Sequence, residues 1–449
     1  MSNHSHHVFE FIHALCFEDL PQAGVLQARR CLLDLCGVAA AGTVTPLSKI
    51  MRQHAATQYG ATTHSARMLF DGRSVSLPGM VLAGAATIDS IDAHDGHVLT
   101  KGHVGVTILP VTAALADAGL IRNGREFLTT LALGYEIATR AGVALHATAC
   151  DYHTSGAWNA LGAAALTARA LALDTNRTRE ALGIAEYFGP RSQMMRCIDH
   201  PTMVKDGSAW GAMAGVSAAL LAADGFTGAP AVTMEDKTVA SFWQDTGRRW
   251  AIMEQYFKPY PVCRWAQPAV EAALSLARTH SLQAADIAEI RISTFYEASR
   301  LATRHPDTTE QAQYSLPFPV ASALCHQRLG AGEINGPALQ DPEVWRLSEK
   351  MVITENASYS QRFPAERWAD ATIILHDGRT LQSGPHTARG DAEAPLTDTE
   401  VTDKFLALAE PVLGQVRCRQ LQQTIDALAD DDAEGPVLNT LLDLILTAT

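Results

Sequence analysis

The feature that most constrains this chain is helical periodicity, which persists from residue 8 to about residue 265. Apolar side chains recur there at the spacing of amphipathic helices, and alanine dominates the faces that would pack together. Small side chains let helix axes approach closely, so this part is predicted to be a compact all-α body. The predicted helices span residues 25–41, 76–91, 106–118, 124–145, 157–173, 177–187 and 209–224.

The pattern changes after residue 267. Residues 287–295 alternate between apolar and polar side chains, as does the segment 371–376, which runs into the turn signal Asp377-Gly378. Amphipathic helices are predicted near 317–327 and 342–351, and the pattern is helical again from Asp398 onward. We therefore predict a mainly α fold: a large all-helical domain formed by residues 1–266 and 393–449, and a smaller α+β lid domain formed by residues 267–392.

Charge and cysteine usage restrict the partners and the compartment. The net charge is −13, from 35 basic and 48 acidic residues, and no Lys/Arg cluster offsets it, so nucleic acid and membrane partners are not expected. The first seven residues lack the basic and leucine-rich regions of a secretion signal. The eight cysteines include no C-x-x-C pair, which favours a reducing, cytoplasmic location.

The densest polar cluster lies at the end of the second predicted helix. Asp92, His94, Asp95, His97 and His103 place two carboxylates and three imidazoles within 12 residues. One interpretation is helix capping followed by a solvated loop. A second is an active-site loop, because imidazole titrates near neutral pH and suits acid/base chemistry. A third is a metal site built from His94, His97, Asp95 and His103, although this spacing matches no familiar zinc motif.

Three further segments carry polar groups next to helices. Tyr152 and His153 precede a helix N-terminus, where backbone N–H groups favour anions such as carboxylates. Arg196 and Lys205 flank the entry to the apolar helix 209–224, and such basic groups are often simply solvated.

A third segment, Lys258-Pro-Tyr-Pro-Val-Cys-Arg264, is stiffened by two prolines that fix the directions of its basic side chains. No G-x-G-x-x-G, G-x-x-x-x-G-K-[ST] or G-x-S-x-G motif is present, so nucleotide binding and serine-hydrolase chemistry lack support. A cysteine nucleophile would require Cys150 or Cys263 beside a histidine, and we do not favour it.

Together these segments resemble the landmarks of the MmgE/PrpD family. The stretch that begins at Lys258 resembles the family's lysine–proline–tyrosine–proline–cysteine signature, and the loop from Asp92 to His103 resembles its aspartate-rich loop. His153 and Lys205 match a histidine before a small-residue helix and a lysine after the following loop. The resemblance covers essentially the whole chain. Two more landmarks agree, Gly-Phe-Thr-Gly at 225–228 and Tyr-Ser-Leu-Pro-Phe at 314–318.

This resemblance implies a two-domain protein with its site in the cleft between the domains, and a homodimer. Family activities include 2-methylcitrate dehydratase, cis-aconitate decarboxylase and iminodisuccinate epimerase. All act on substrates with two or three carboxylates through a carbanion-like centre, and none requires a metal or organic cofactor. The chain departs from the commoner pattern at His94-Asp95-Gly96, Val104, Ser208, Gln267 and Phe318. These changes alter the groups that would handle a leaving hydroxide.

We therefore expect a cofactor-independent lyase, a dehydratase or decarboxylase, that acts on a small polycarboxylate. Alternatives are an epimerase of an iminodisuccinate-like dicarboxylate, and a metal-dependent or non-catalytic protein on this scaffold. The predicted catalytic residues are His103, His153, Asp92, Asp95, His97, Lys205, Lys258 and Tyr152. The predicted substrate-binding residues are Arg196, Arg264, Lys101 and Gln267, with no metal ligand.

Overall fold

The computed structural model describes residues 3–61, 63–432 and 435–449. Met1 and Ser2, which belong to the N-terminal segment for which no secretion signal is predicted, lie outside the described residues. The helices of the first part are Asn3–Ala14, Gln22–Gly42, Pro46–Gln58, Leu77–Asp89, Gly105–Asp117, Gly124–Thr148, Gly156–Ala170, Thr175–Phe188, Met194–Asp199, Ser208–Ala223 and Val232–Glu235. Short strands accompany them at Ser65–Arg67, Ser74–Ser76, Gly96–His97 and Gln255–Tyr256.

All seven helices predicted in this part are confirmed. Their ends agree with the prediction to within three residues, the largest differences being at Gln22, Thr148 and Ala170. Local chemistry sets several of these ends. The Asn123 side chain, for example, accepts a hydrogen bond from the backbone N–H of Glu126 and so caps Gly124–Thr148.

The second part is built around one five-stranded sheet. Its central strands are Ile287–Thr294 and Trp368–Leu375, which pair antiparallel and confirm the two predicted strands. Trp368–Leu375 also pairs with Thr380–Gln382 across the predicted turn. The remaining strands are Met351–Glu355, parallel to the first, and His386–Thr387. The helices here are Gln267–His280, Tyr296–Ser299, Thr309–Gln313, Pro317–His326, Pro342–Glu349 and Ala357–Ser360.

Each of the two parts has its own hydrophobic core. The first unites the N-terminal helices with the tail helices Asp398–Ala427 and Pro436–Leu446. The second lies between the sheet and its helices. The fold is thus mainly α with a smaller α+β part, while the domain limits at 266/267 and 392/393 stay a prediction.

Among the described residues, no single helix is long and apolar enough to cross a membrane. By length and composition alone, the bent pair Gln22–Gly42 and Pro46–Gln58, with 90° between its helices, passes that test together. All eight cysteines are free thiols.

Candidate active site

A short β-pair brings the two most distinctive sequence segments together. Gly96–His97 pairs antiparallel with Gln255–Tyr256, so the chain after Tyr256 runs beside the loop that follows Asp92. Position 96 must be glycine because a Cβ there would overlap the Tyr256 hydroxyl. Asp92 itself adopts a left-handed backbone with φ of 48°, a conformation that is uncommon for residues other than glycine. Apart from Val98, Leu99 and Lys101, the residues from Asp92 to His103 are buried, so the interpretation as a simple solvated loop is wrong.

This pairing sets the Lys258 ammonium against Asp92. Lys258 Nζ donates to Asp92 Oδ1 at 2.7 Å and to the Asp92 main-chain oxygen at 2.8 Å. Both side chains are buried. Burial raises the pKa of the Asp92 carboxyl, but Lys258 and Lys205 outweigh that effect and hold the pKa below its usual value. Asp92 is therefore a buried, ionised carboxylate at neutral pH.

His103 lies between two carboxylates. Its Nδ1 is 2.7 Å from the Asp95 main-chain oxygen, which can only accept, so the ring proton is on Nδ1 and Nε2 carries the lone pair. Nε2 is 3.9 Å from both Asp92 Oδ1 and Asp206 Oδ2. Burial and the Lys258 ammonium lower the pKa of His103 to about 3. Asp92, Lys258, His103 and Asp206 form a buried cluster. The His103 side chain is 10% exposed, against 2% and 1% for the two carboxylates, so His103 is the member of this cluster nearest to solvent.

A hydrogen-bond chain fixes the backbone of His103. The Asp206 carboxylate accepts from Ser155 Oγ at 2.9 Å, and Ser155 Oγ accepts from the His103 backbone N–H at 3.0 Å. Asn159 Nδ2 donates to the His103 main-chain oxygen at 2.8 Å. These bonds hold the His103 backbone in place beside Asp206.

Lys205 connects the cluster to residues of the second part of the fold. It has a left-handed backbone with φ of 49° in the loop before Ser208–Ala223. Its Nζ donates to Gln313 Oε1 and lies 4.6 Å from the centre of the Tyr314 ring. Burial lowers the pKa of Lys205, but Asp92 and Asp89 outweigh burial and raise the pKa above its usual value. The site thus contains two buried ammonium groups, and its residues come from both parts of the fold.

The comparisons with known proteins give the family. The model described as the MmgE/PrpD N-terminal domain matches residues 6–247, and the model described as the MmgE/PrpD C-terminal domain matches residues 260–430. The chain belongs to the MmgE/PrpD family.

Relatives of this MmgE/PrpD protein match along nearly their full length. The chain is 22% identical to the cis-aconitate decarboxylase-like protein oryM of Aspergillus oryzae, over 91% of each of the two chains. It is 24% identical to the cis-aconitate decarboxylase of Homo sapiens, over 96% of this chain and 92% of the relative. For the cis-aconitate decarboxylase of Mus musculus the identity is 23%, over 93% of this chain and 89% of the relative.

Asp95 and His97, both predicted to be catalytic, are engaged in hydrogen bonds with other residues of this MmgE/PrpD protein. Asp95 Oδ1 accepts from the backbone N–H of Gly105 at 3.0 Å, and Asp95 Oδ2 accepts from the Tyr135 hydroxyl. Burial raises the pKa of Asp95 to about 6. His97 Nε2 is 3.1 Å from Glu254 Oε2, and its Nδ1 accepts from a backbone N–H at 3.3 Å. The hydrogen bonds of both side chains stabilise the loop.

Tyr152 and Lys101 contact each other next to the buried cluster, and burial and the nearby Asp206 raise the pKa of the Tyr152 hydroxyl. Tyr152 donates from its hydroxyl to the Lys101 main-chain oxygen, and the Lys101 ammonium lies 4.4 Å from the Tyr152 ring centre. His153 is only partly buried, and its backbone N–H donates to His146 Nε2 at 3.3 Å. No hydrogen bond or ion pair between described residues joins His153 to His103.

The predicted substrate-binding residues are placed differently from one another. Arg264 is buried, donates to Gln267 Oε1 at 2.9 Å and to Asp391 Oδ1 at 2.5 Å, and stacks 4.6 Å over the Tyr256 ring. Gln267 Nε2 donates to two main-chain oxygens at 3.0 Å, so its side chain is engaged within the protein. Arg196 lies exposed on Met194–Asp199, and no contact between described residues ties it to the buried cluster.

Two carboxylates of the cluster, Asp206 and Asp89, had no predicted role. Asp206 and Asp89 are buried carboxylates, and burial raises the pKa of both, that of Asp89 to about 7. Cys263 is also buried, and burial raises its pKa to about 12, which keeps the thiol protonated. His94 lies beside His103 with ring centres 4.4 Å apart. Ligand atoms of Asp92, His94 and His103 lie within 4.8 Å of one another, a different metal-capable set from the one suggested by sequence spacing.

Proposed function

We propose that this MmgE/PrpD protein is a carboxy-lyase that releases carbon dioxide from a small di- or tricarboxylate and protonates the carbon that is left. The observation that carries the proposal is the buried His103, whose unprotonated Nε2 faces a cluster holding two buried ammonium groups. The three relatives whose names describe cis-aconitate decarboxylation support this choice of reaction.

Lys205 and Lys258 are suited to different tasks in carboxylate binding. Lys258 is already paired with Asp92, whereas the hydrogen-bond partner of Lys205 is the neutral amide of Gln313. An incoming carboxylate therefore gains more from Lys205, where no directly bonded carboxylate has to be displaced. Arg264, held by Asp391, adds positive charge without giving up its protein partners.

The charge of the substrate itself can prepare His103 for proton transfer. In the free protein, burial and Lys258 keep His103 neutral. A polyanion beside Lys205 and Lys258 offsets these two ammonium groups and so raises the pKa of His103, which allows Nε2 to bind a proton. Cleavage of the carbon–carboxylate bond leaves its electron pair on carbon next to a remaining carboxylate. The Nε2 proton then moves to that carbon and the imidazole returns to its neutral form.

Lysine ammonium groups stabilise the negative charge that develops on the remaining carboxylate. Because these cations are buried and already held by hydrogen bonds, they do not need to reorganise during the reaction. The Asp206–Ser155 hydrogen-bond chain keeps the His103 backbone in place meanwhile. A homodimer and a cytoplasmic location remain predictions.

The test is turnover by chelator-treated protein in deuterium oxide, followed by proton NMR, with cis-aconitate, citrate, 2-methylcitrate and iminodisuccinate as substrates. We expect one acid to lose carbon dioxide and its product to carry deuterium at the protonated carbon. His103→Gln is expected to slow this reaction by about 10²–10⁴-fold, and the exposed His280→Gln serves as the matched control.

Other products would identify other reactions. Loss of water without carbon dioxide would contradict a carboxy-lyase and indicate a dehydratase. Deuterium exchange or inversion without bond cleavage would indicate an epimerase. No change in any of the four acids would overturn the proposed substrate class for this panel.

A further inference from the structure

His94 is a buried imidazole without a described partner. Its side chain is fully buried, and neither ring nitrogen has a hydrogen bond among the described residues. Asp92 Oδ2 and Asp89 Oδ1, which face the same cluster, are also without a hydrogen-bond partner there. Buried polar groups in proteins are nearly always satisfied, so several of them unsatisfied in one place indicate a ligand that they share.

The neighbouring imidazole is oriented as a metal ligand would be. His103 donates its Nδ1 proton to the Asp95 main-chain oxygen, which fixes the ring and leaves the Nε2 lone pair directed into the cluster. Histidines bound to metals usually donate their other ring N–H to a carbonyl or carboxylate in this way. Lys258 contacts Oδ1 of Asp92 and leaves Oδ2 available.

We propose that Asp92, His94 and His103 form a binding site for a Zn²⁺-type transition-metal dication. Two imidazoles and one carboxylate suit Zn²⁺, Co²⁺ or Ni²⁺ and are a poor set for Mg²⁺ or Ca²⁺, which prefer oxygen ligands. Ligand atoms around tetrahedral Zn²⁺ lie about 3.4 Å apart, given Zn–ligand bonds of about 2.1 Å. The ligand atoms of the three groups lie within 4.8 Å of one another, so reaching that spacing around a metal requires side-chain rotation. His94 gives up no described hydrogen bond when it turns.

Charged groups of both signs surround the three ligands. The ammonium groups of Lys205 and Lys258 oppose the binding of a dication, whereas the carboxyl groups of Asp89 and Asp206 lie beside the two imidazoles, with Asp206 Oδ2 3.9 Å from His103 Nε2. Asp89 Oδ1 is 3.8 Å from His94 Nε2, so the ring is already beside a carboxylate.

A metal at this site would block the proposed lyase reaction. The cation takes the Nε2 lone pair of His103, which the proposed proton transfer needs, so metal binding and turnover exclude each other. This consequence rests on the proposed function, whereas the metal site itself does not. Zn²⁺ binding would thus act as a reversible inhibitory switch.

The binding test is a titration of the full-length, chelator-treated protein with Co²⁺, followed by its visible absorption. We expect one Co²⁺ per chain, displaced by Zn²⁺ and not by Mg²⁺. His94→Gln is expected to lose this signal. His97→Gln is the matched control, because His97 is in the same loop but its nitrogens contact Glu254 and the Thr100 backbone. The titrations are repeated with His4, His6 and His7 changed to glutamine, because imidazole is a general ligand for Co²⁺ and these three residues are a competing source of it.

Each outcome is decisive for the ligand set. Absence of Co²⁺ binding, or binding that survives His94→Gln, overturns the proposal. Loss in His97→Gln but not in His94→Gln also overturns it. X-ray absorption of the Zn²⁺-loaded wild-type protein gives a second measurement that needs no variant: two imidazole ligands support the site, and one or none overturns it.

Activity separates this proposal from the proposed function. If the chelated protein turns over an acid, saturating Zn²⁺ should lower the rate at least tenfold and a chelator should restore it. Full activity with Zn²⁺ bound contradicts the inhibitory role. A protein that binds Co²⁺ as expected but transforms no acid retains the metal site and loses the proposed function.

Discussion

The Lys258 ammonium binds Asp92 twice, through the carboxylate Oδ1 at 2.7 Å and the main-chain oxygen at 2.8 Å. Both residues are buried, so Lys258→Met leaves an unpaired carboxylate in the interior. We expect the free energy of unfolding to fall by about 3–5 kcal/mol, measured by urea denaturation.

A double variant separates the buried charge from the catalytic role. Lys258→Met combined with Asp92→Asn removes the unpaired charge, and asparagine tolerates the left-handed backbone at position 92. The double variant should recover much of the stability while remaining inactive. A double variant less stable than Lys258→Met alone would contradict this explanation.

The second prediction concerns the two histidines that the sequence suggested as an acid/base pair. His103 lies between two carboxylates, whereas His153 is partly exposed and has no described contact with His103. His103→Gln is expected to lower kcat by about 10²–10⁴-fold, the usual contribution of a general acid or base. His153→Gln is expected to cost less than about tenfold.

Both variants are assayed on the acid that the wild-type protein turns over, with circular dichroism to confirm folding. Equal losses for the two variants would restore His153 to the acid/base pair and contradict the arrangement around His103.

The sequence predicted the helices well because their signal is local. Periodic apolar residues and a capping residue such as Asn123 lie within a few turns of one another. Met351–Glu355 was missed, since it is an edge strand that is mostly not buried and directly follows a helix predicted to extend to residue 351. A strand without alternating burial gives no period-two pattern.

The site was predicted in part, for the same physical reason. The loop around Asp92 and the lysines was recognisable from composition and motif, but pairing is not local: Lys258 and Asp92 are 166 residues apart in sequence. Nothing in the sequence distinguished His97 from His103 as an acid/base residue, whereas in the structure His97 contacts Glu254. No sequence pattern pointed to Asp206 or Gln313. Asp206 follows a lysine in an ordinary loop, and Gln313 lies 108 residues from its partner Lys205.

The third prediction concerns acid stability through Glu254. Burial raises the pKa of Glu254, but hydrogen bonds from His97 and Arg249 outweigh it and lower the pKa to about 2. The unfolded chain, with a pKa of 4.5 for this group, binds the proton first as pH falls. The contribution of Glu254 is therefore complete above pH 4.5 and is lost as pH falls toward about 2.

Urea denaturation of the wild-type protein and Glu254→Gln, from pH 7 down to pH 3, measures this effect. Because the Glu254 side chain is 31% exposed, we expect a difference of only about 1–2 kcal/mol at neutral pH, shrinking below about pH 4.5. The exposed Glu393→Gln is the control and should show no such trend. A difference that stays constant with pH would mean that the Glu254 carboxylate charge does not contribute.

The last prediction tests the close approach of Gly105 to Tyr135 and Asp95. A Cβ at position 105 would overlap the Tyr135 hydroxyl and Asp95 Oδ2, which hydrogen-bond to each other. Gly105→Ala should therefore cost about 1–3 kcal/mol of unfolding free energy, the usual cost of overpacking a core. Adding Tyr135→Phe removes the hydroxyl, so the double variant should lose less unfolding free energy than the sum of the two single losses.

The control is Gly60→Ala, where a Cβ meets no atom within 4 Å and which should change stability by less than about 0.5 kcal/mol. Strict additivity of Gly105→Ala and Tyr135→Phe would show that the hydroxyl is not what requires glycine at this position.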